Sequence, residues 1–245
     1  MTATRRLLTT KQHKLDKGQY TGVLTAGITL SPATEASSVL RRTLPTTCSM
    51  AGECTILCLK FTGMYQMPTH KRARALRTAF WYDDRQAFIA QAVAEFGRVE
   101  RKAKRDNMLP AGRPNLLSDL PVMARNIAKA LPSMNFYDYT KLSEPWRRTL
   151  KNYHLTYSVS ERSTAADIRG AFKHRVNCAV VVDIPKGHAI PATHTEFGIT
   201  RPTIDGDVHD LRFQDPVGVY VVLRWKGSRA RLQAANAGHF TRPTN

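Results

Sequence analysis

Strand patterns and helix patterns alternate along residues 115–183, and this alternation restricts the possible folds more than any other feature. The elements predicted there are strand Asn115–Ser118, helix Asp119–Leu131, strand Met134–Tyr139, helix Glu144–Leu150, strand Tyr153–Val159, helix Ser163–Phe172 and strand Asn177–Asp183. Because a helix separates each pair of successive strands, the pattern predicts βαβ units and a parallel sheet. We therefore expect an α/β fold, either a βα barrel or an incomplete barrel, with mainly parallel strands.

The flanking sequence adds elements on both sides of this region. A β-rich stretch at 19–30 predicts a first strand, and a helix is expected after Pro45, ending near Gly63. Two further helices are expected between Thr69 and Arg105, separated at Tyr82–Asp84, and a last strand at Val217–Trp225. The Leu109–Pro114 stretch, rich in Pro and Gly, is interpreted as a break in the chain. The domain prediction is a basic N-terminal arm at 1–18, a single α/β domain at 19–235 and a loose tail at 236–245.

Three of the four cysteines occur within eleven residues, as Cys48, Cys54 and Cys58. On the predicted helix, Cys54 and Cys58 are four residues apart and would share one face, with Cβ atoms about 5–6 Å apart. Three thiolates that meet at one point suit an iron–sulfur cluster or another metal site. Three alternatives remain open: buried apolar thiols, a structural zinc site completed by Cys178 or His70, and a disulfide.

Polar side chains follow the predicted strands at the ends where parallel α/β folds place their chemistry. Helix capping accounts for some of them, such as Ser118, but it does not account for Asp138 or Lys141. We therefore predict that one group of residues shares a catalytic site with the cysteines: Asp119, Asp138, Lys141, Ser158 and Glu161.

The charge of the chain is strongly positive. It has 37 Lys and Arg against 19 Asp and Glu, a formal net charge of +18. Such an excess favours polyanions, so nucleic acid is the expected partner. One face of the two helices between 69 and 105 is rich in cations, and we predict phosphate contacts for Arg72, Arg74, Arg77, Arg101, Lys102 and Lys104. No apolar run approaches the length of a membrane span, and no secretory signal is recognised, so the expected location is the cytoplasm.

The order of several short motifs resembles the bacteriophage family known as gene product 88. These motifs are the Cys-x5-Cys-x3-Cys segment, the Arg113–Asp119 and Phe136–Lys141 stretches, the Asn152–Glu161 stretch and the Asp205–Arg212 stretch. The resemblance covers about residues 20–227 and implies a phage origin, so the expected cytoplasm is that of the host cell.

The chain also has a remote similarity to radical S-adenosylmethionine enzymes, which place three cysteines after the first strand of a βα barrel. That similarity implies a four-iron cluster on Cys48, Cys54 and Cys58, with one iron open to S-adenosylmethionine. This chain departs from the superfamily's Cys-x3-Cys-x2-Cys spacing, and Ser118 and Asp119 would have to replace its glycine-rich segment.

The expected function is therefore a phage-encoded, cysteine-ligated iron–sulfur protein that acts on or beside nucleic acid. The alternative is a nucleic-acid-binding protein without enzymatic activity, used in phage replication or DNA handling, whose cysteines hold zinc or only pack.

Overall fold

The computed structural model describes residues 6–10, 21–142, 150–185, 187–226, 228–236 and 241–242. The strands are β1 Leu8–Thr9, β2 Val23–Ile28, β3 Leu109–Arg113, β4 Asn135–Thr140, β5 Tyr153–Ser158, β6 Asn177–Val182, β7 Thr193–Glu196, β8 Ile199–Asp205 and β9 Tyr220–Arg224. The α-helices are α1 Glu35–Leu40, α2 Pro68–Asp83, α3 Arg85–Arg105, α4 Pro121–Ala130, α5 Ala165–Lys173 and α6 Arg229–Asn236. Short 3₁₀ turns lie at Gly52–Thr55, Leu59–Phe61, Gly63–Gln66 and Arg212–Gln214.

The nine strands form one mixed sheet with the order β1-β2-β3-β4-β5-β6-β9-β8-β7. All neighbours from β2 to β8 pair in parallel, whereas β1 and β7 pair antiparallel at the two edges. The predicted α/β class and mainly parallel sheet are confirmed. No ladder among the described strands joins β7 to β1, so closure into a barrel is not observed.

The sheet has two different faces because side chains alternate along each strand. Helices cover one face: Phe96 of α3 packs edge-on against Phe136 of β4, with ring centroids 5.2 Å apart. We call this the helix-covered face. The opposite face, which we call the inner face, is packed by Phe213 of the Arg212–Gln214 turn, which contacts Tyr137 and His154. Whether a strand residue faces the helices or the inner face therefore depends on its odd or even position in the strand.

The strand after the two long helices differs from its prediction. It spans Leu109–Arg113, the stretch interpreted as a break, whereas residues 115–118 form the loop that follows it. A Cβ atom on Gly112 would lie 2.6 Å from the ring of Phe136 and 2.9 Å from that of Phe96. The glycine is therefore required by close packing of α3 and β4 on this strand, and it does not signal a turn here.

The terminal predictions are only partly covered by the described residues. Of the predicted basic arm, residues 6–10 are described: Leu7 and Leu8 are buried, and their backbone N–H groups donate to the Glu95 carboxylate. The helix predicted at Glu144–Leu150 lies outside the described residues except for Leu150. In the predicted tail, Arg242 forms a backbone bridge to Val182.

Candidate functional site

A pocket of about 210 Å³ lies between the cysteine segment, Pro45–Gly63, and the carboxyl ends of β3, β4 and β5. We call it the thiol pocket. Cys48, Cys54 and Cys58 all line it, so the convergence of these three side chains on one space is observed. Its other polar lining residues are Arg113, Asn115, Ser118, Asp119, Tyr139, Thr140, Lys141 and Ser158, together with Thr55 and Lys60 of the cysteine segment.

The cysteine segment is not the predicted α-helix. It consists of short 3₁₀ turns, with Cys54 inside the first and Cys58 immediately before the second. Gly52 opens the first turn with a positive φ of 46°, a conformation that interrupts helical backbone and favours glycine. The shared helical face predicted for Cys54 and Cys58 is therefore wrong, although both residues line the same pocket.

Two contacts fix the cysteine segment against the sheet. The Glu161 carboxylate accepts a hydrogen bond from the backbone N–H of Glu53 at 3.0 Å, just after Gly52. The Cys48 thiol donates to the Leu117 carbonyl at 3.5 Å, a contact that joins the segment to the loop after β3. Glu161 does not line the thiol pocket and positions the backbone that carries Cys54.

Burial opposes ionisation of these thiols. Desolvation raises the pKa of Cys48, and it raises the pKa of Cys58 to about 12. The neighbouring Cys54 adds to the rise in the pKa of both thiols, and Cys48 adds to the rise in the pKa of Cys58, as expected for thiols that share one pocket. A cationic metal or cluster would offset this cost, because thiolates are the form that binds metal.

The described residues contain no group of three or more His, Cys, Asp or Glu side chains already arranged to hold a metal ion. The two predicted fourth ligands for zinc are also elsewhere. Cys178 is buried on the helix-covered side of β6, and His70 lies on α2; neither lines the thiol pocket. The three cysteine side chains line one pocket without being in a metal-binding arrangement.

Asp119, Lys141 and Ser158 lie together at the pocket, as predicted from the strand ends. The Asp119 carboxylate accepts hydrogen bonds from the Thr140 hydroxyl at 3.1 Å and the Lys141 backbone N–H at 2.9 Å. The Lys141 ammonium is 3.4 Å from the Ser158 hydroxyl. Asp119 does not cap α4, whose first turn has no side-chain cap, so capping does not account for it.

Asp138 does not lie at the pocket, because strand alternation turns it to the helix-covered face. It is 1% exposed. Its carboxylate accepts hydrogen bonds from the Asn115 backbone at 2.8 Å, the Asn115 amide at 2.9 Å and the Tyr153 hydroxyl at 3.0 Å. Asn115 in turn accepts from the Ser118 hydroxyl and the Leu120 N–H. Asp138 thus supports the loop that borders the pocket and does not enter the pocket itself.

Sequence reasoning assigned no role to Arg113, which the structure places in the pocket beside Tyr139, a residue expected there because it is near a strand end. Both lie on the inner face, and the Arg113 guanidinium stacks 4.8 Å from the Tyr139 ring centre. Arg113 also pairs with the buried Asp210. A signal was present in the sequence: Tyr137 and Tyr139 alternate with Asp138, and correct placement of β3 would have put Arg113 at its carboxyl end.

The six cations predicted to contact phosphate do not lie in equivalent positions. Arg74 is 1% exposed and pairs with Glu35, so its predicted phosphate contact is wrong. Arg77 is half-buried and donates to the Arg6 carbonyl at 2.9 Å. The remaining four side chains are exposed: Arg72, Arg101, Lys102 and Lys104. Of these, Lys102 forms an ion pair with Asp106, and Lys104 forms one with Glu100.

The family model described as gene product 88 matches residues 3–242, which is nearly the whole chain. No curated protein and no solved structure matched the chain. None of the described helices is both long enough and apolar enough to cross a membrane.

Proposed function

The chain belongs to the gene product 88 family of phage proteins, and from this premise and the geometry of the thiol pocket we propose that it is a cysteine-ligated iron–sulfur protein that acts on or beside nucleic acid. Cys48, Cys54 and Cys58 are the proposed ligands. The observation that supports this proposal most is that all three cysteines line one pocket at the carboxyl ends of parallel strands.

The donor set favours iron–sulfur over structural zinc. Both accept thiolates, but structural zinc uses four protein ligands. Cys178 and His70 do not line the thiol pocket, so the pocket offers three thiols. Cys48, Cys54 and Cys58 would hold the group, and Asp119, Lys141 and Ser158 line the same pocket beside it. An iron–sulfur group bound there would supply one-electron chemistry.

The protein residues have distinct roles in this proposal. Glu161 holds the first cysteine turn in place through the Glu53 N–H. Lys141 and Ser158 supply hydrogen-bond donors to a ligand in the pocket, and Asp119 orders the backbone of Lys141. The exposed cations on α2 and α3 provide the contact with nucleic acid, through phosphates and without base reading.

The test is metal content and colour after anaerobic purification. We expect a brown protein that contains iron and sulfide, and we expect Cys54→Ala to lose most of the iron. Cys178→Ala is the matched control, because it removes a thiol that does not line the pocket, and it should retain the iron. Addition of S-adenosylmethionine to the iron-loaded protein, followed by its optical spectrum, tests the radical-enzyme version of the proposal.

A colourless protein with one zinc per chain would contradict the iron–sulfur proposal. It would support instead the alternative function of a nucleic-acid-binding protein without enzymatic activity. Equal iron loss in Cys54→Ala and Cys178→Ala would also count against the proposed ligands, because it would show that iron retention follows overall stability.

A further inference from the structure

The donors on the sheet side of the thiol pocket converge from three neighbouring strands. Arg113 ends β3, Lys141 directly follows β4, and Ser158 ends β5. The β4–β5 register pairs Thr140 with Tyr157, so Lys141 is level with Ser158. Arg113, Tyr139 and Ser158 have inner-face parity, and the sheet therefore directs them to one side.

Lys141 carries a positive charge that no described carboxylate side chain pairs with. Its ammonium group contacts the Ser158 hydroxyl at 3.4 Å. Because the Ser158 oxygen accepts a hydrogen bond from the Lys141 ammonium, the Ser158 O–H remains available to donate to a ligand. The nearby Asp119 carboxylate is directed to the Thr140 hydroxyl and the Lys141 backbone N–H.

Arg113 provides a second, independent observation. Its side chain is about nineteen-twentieths buried, lines the pocket and pairs with Asp210 through Nη1. Its Nε has no hydrogen-bond partner among the described residues. A buried guanidinium N–H without an acceptor is costly, so the described protein groups do not use all the donors of Arg113. The Nε atom itself is enclosed, and Arg113 therefore contributes positive charge to this wall of the pocket.

We infer that the thiol pocket binds a small ligand through an oxyanion, a carboxylate or a phosphate group, held by Lys141 and Ser158 beside Arg113. The inference rests on the proposed function because both take the thiol pocket as the functional site. It adds the chemical class of the ligand. The remaining lining is largely apolar, including Leu116, Leu117 and Leu223, so the ligand carries an apolar portion next to its anionic group.

The experiment is calorimetric titration of the full chain with inorganic phosphate and, separately, with succinate, at about 0.15 M salt, where exposed charges are screened. We expect saturable binding of at least one probe, at least tenfold weaker in Lys141→Met. Lys141→Arg should restore much of the affinity, because it restores the charge. Lys151→Met is the matched control: Lys151 is exposed and does not line the pocket, so its loss should leave the affinity unchanged.

The two probes distinguish the sources of the oxyanion. Tighter phosphate binding assigns a phosphate ester, and tighter succinate binding assigns a carboxylate. Absence of saturable binding for both probes, or an equal loss in Lys141→Met and Lys151→Met, overturns the inference. Circular dichroism of each variant confirms that it is folded.

Failure of this inference can be distinguished from failure of the proposed function. A colourless protein that binds the anion through Lys141 supports the oxyanion site and removes the iron–sulfur proposal. A brown, iron-loaded protein that binds neither probe removes the oxyanion site and leaves the proposed function in place.

Discussion

Asp138 lies on the helix-covered face beneath the loop that borders the thiol pocket, and burial changes the pKa of its carboxyl group. Desolvation raises its pKa from 3.8 to about 7, against the opposing effects of Arg113 and of hydrogen bonds from Asn115 and Tyr153. The folded protein therefore holds this proton more tightly than the unfolded chain does. Asn115 joins this carboxyl group to the loop that carries Ser118 and Asp119, because it donates to Asp138 and accepts from Ser118 and Leu120.

The sign of the resulting pH dependence follows from linkage. Because the folded-state pKa is raised, the stabilisation is fully present below about pH 4 and is lost as the pH rises through about 7. The shift corresponds to at most about 4 kcal/mol. We expect the free energy of unfolding of wild type, relative to Asp138→Asn, to decrease between pH 5 and pH 8 in urea titrations.

The difference between the two proteins is the informative quantity, since other titrating groups contribute to both curves. Asp215 is one of these, because burial raises its pKa to about 6. Parallel pH profiles for wild type and Asp138→Asn would show that Asp138 titrates as an ordinary carboxyl group.

Residue-level prediction from the sequence worked where side chains follow a strand and did not work within one. Lys141 directly follows β4, so its position at the rim of the sheet follows from topology alone, whereas Asp119 reaches this rim through the loop after β3 and not directly from the strand predicted before it. Asp138 lies inside β4, where successive side chains point to opposite faces of the sheet. Its neighbours Tyr137 and Tyr139 do not show which of these faces is the helix-covered one. The burial of Arg74 was also hidden, because its partner Glu35 is 39 residues away and belongs to a helix that the sequence pattern did not predict.

At the scale of elements, one buried ion pair joins three pieces of the chain. Arg74 on α2 donates to the Glu35 carboxylate of α1, with an Nη2–Oε1 distance of 2.7 Å. It also donates to the Tyr65 carbonyl in the Gly63–Gln66 turn at 2.6 Å. Since this turn directly follows the cysteine segment, the pair fixes the far end of the segment to α1 and α2.

Replacement of Arg74 by Met should destabilise the protein by about 3–5 kcal/mol, because it leaves the Glu35 charge without its partner in a largely buried position. Chemical denaturation measures the loss. Glu35→Gln in the same background should recover part of it, because it removes the uncompensated charge.

Arg72 offers a control two residues away on the same helix. It is exposed, so Arg72→Met should change the free energy of unfolding by no more than about 0.5 kcal/mol. A similar loss in Arg72→Met and Arg74→Met would show that the helix responds to loss of charge in general, and the buried pair would lose its assigned role.

Element-level prediction succeeded for the long helices and was less successful for short or irregular pieces. The separation of α2 from α3 was predicted at Tyr82–Asp84, and Asp84 caps α3 by accepting from the Ala87 N–H. The cysteine segment was predicted as a helix because its spacing fits one, yet contacts from Glu161 and α6 hold it as 3₁₀ turns. In β3, Pro110 precedes the residues that pair with β4, so it is tolerated in the strand.

At the scale of the whole molecule, the net charge of +18 is the property from which we predict an interaction with nucleic acid. The affinity for single-stranded or duplex oligonucleotides should fall steeply with salt, since each phosphate contact releases counterions. We expect Arg101→Gln with Lys102→Gln to reduce the log–log salt slope by about 1.4–1.8, from roughly 0.7–0.9 per contact. Fluorescence anisotropy at several salt concentrations measures the slope.

Arg169→Gln with Lys173→Gln is the charge-matched control, since both residues are exposed on α5. Equal slopes for the two double variants would indicate that the total charge, and not the α2–α3 face, governs binding. A slope near zero in wild type would contradict nucleic acid as the partner.

The packing of α6 on the cysteine segment has a consequence for biosynthesis. Leu232 packs on Leu57, while Arg231 donates to the Ile56 carbonyl and stacks 3.7 Å from the Phe61 ring centre. Cys54 and Cys58 are synthesised early, but α6, which packs on their segment, is synthesised about 170 residues later. During that interval the thiols of the nascent chain lack the cover that α6 provides. Termination of translation before α6 would make that exposure permanent.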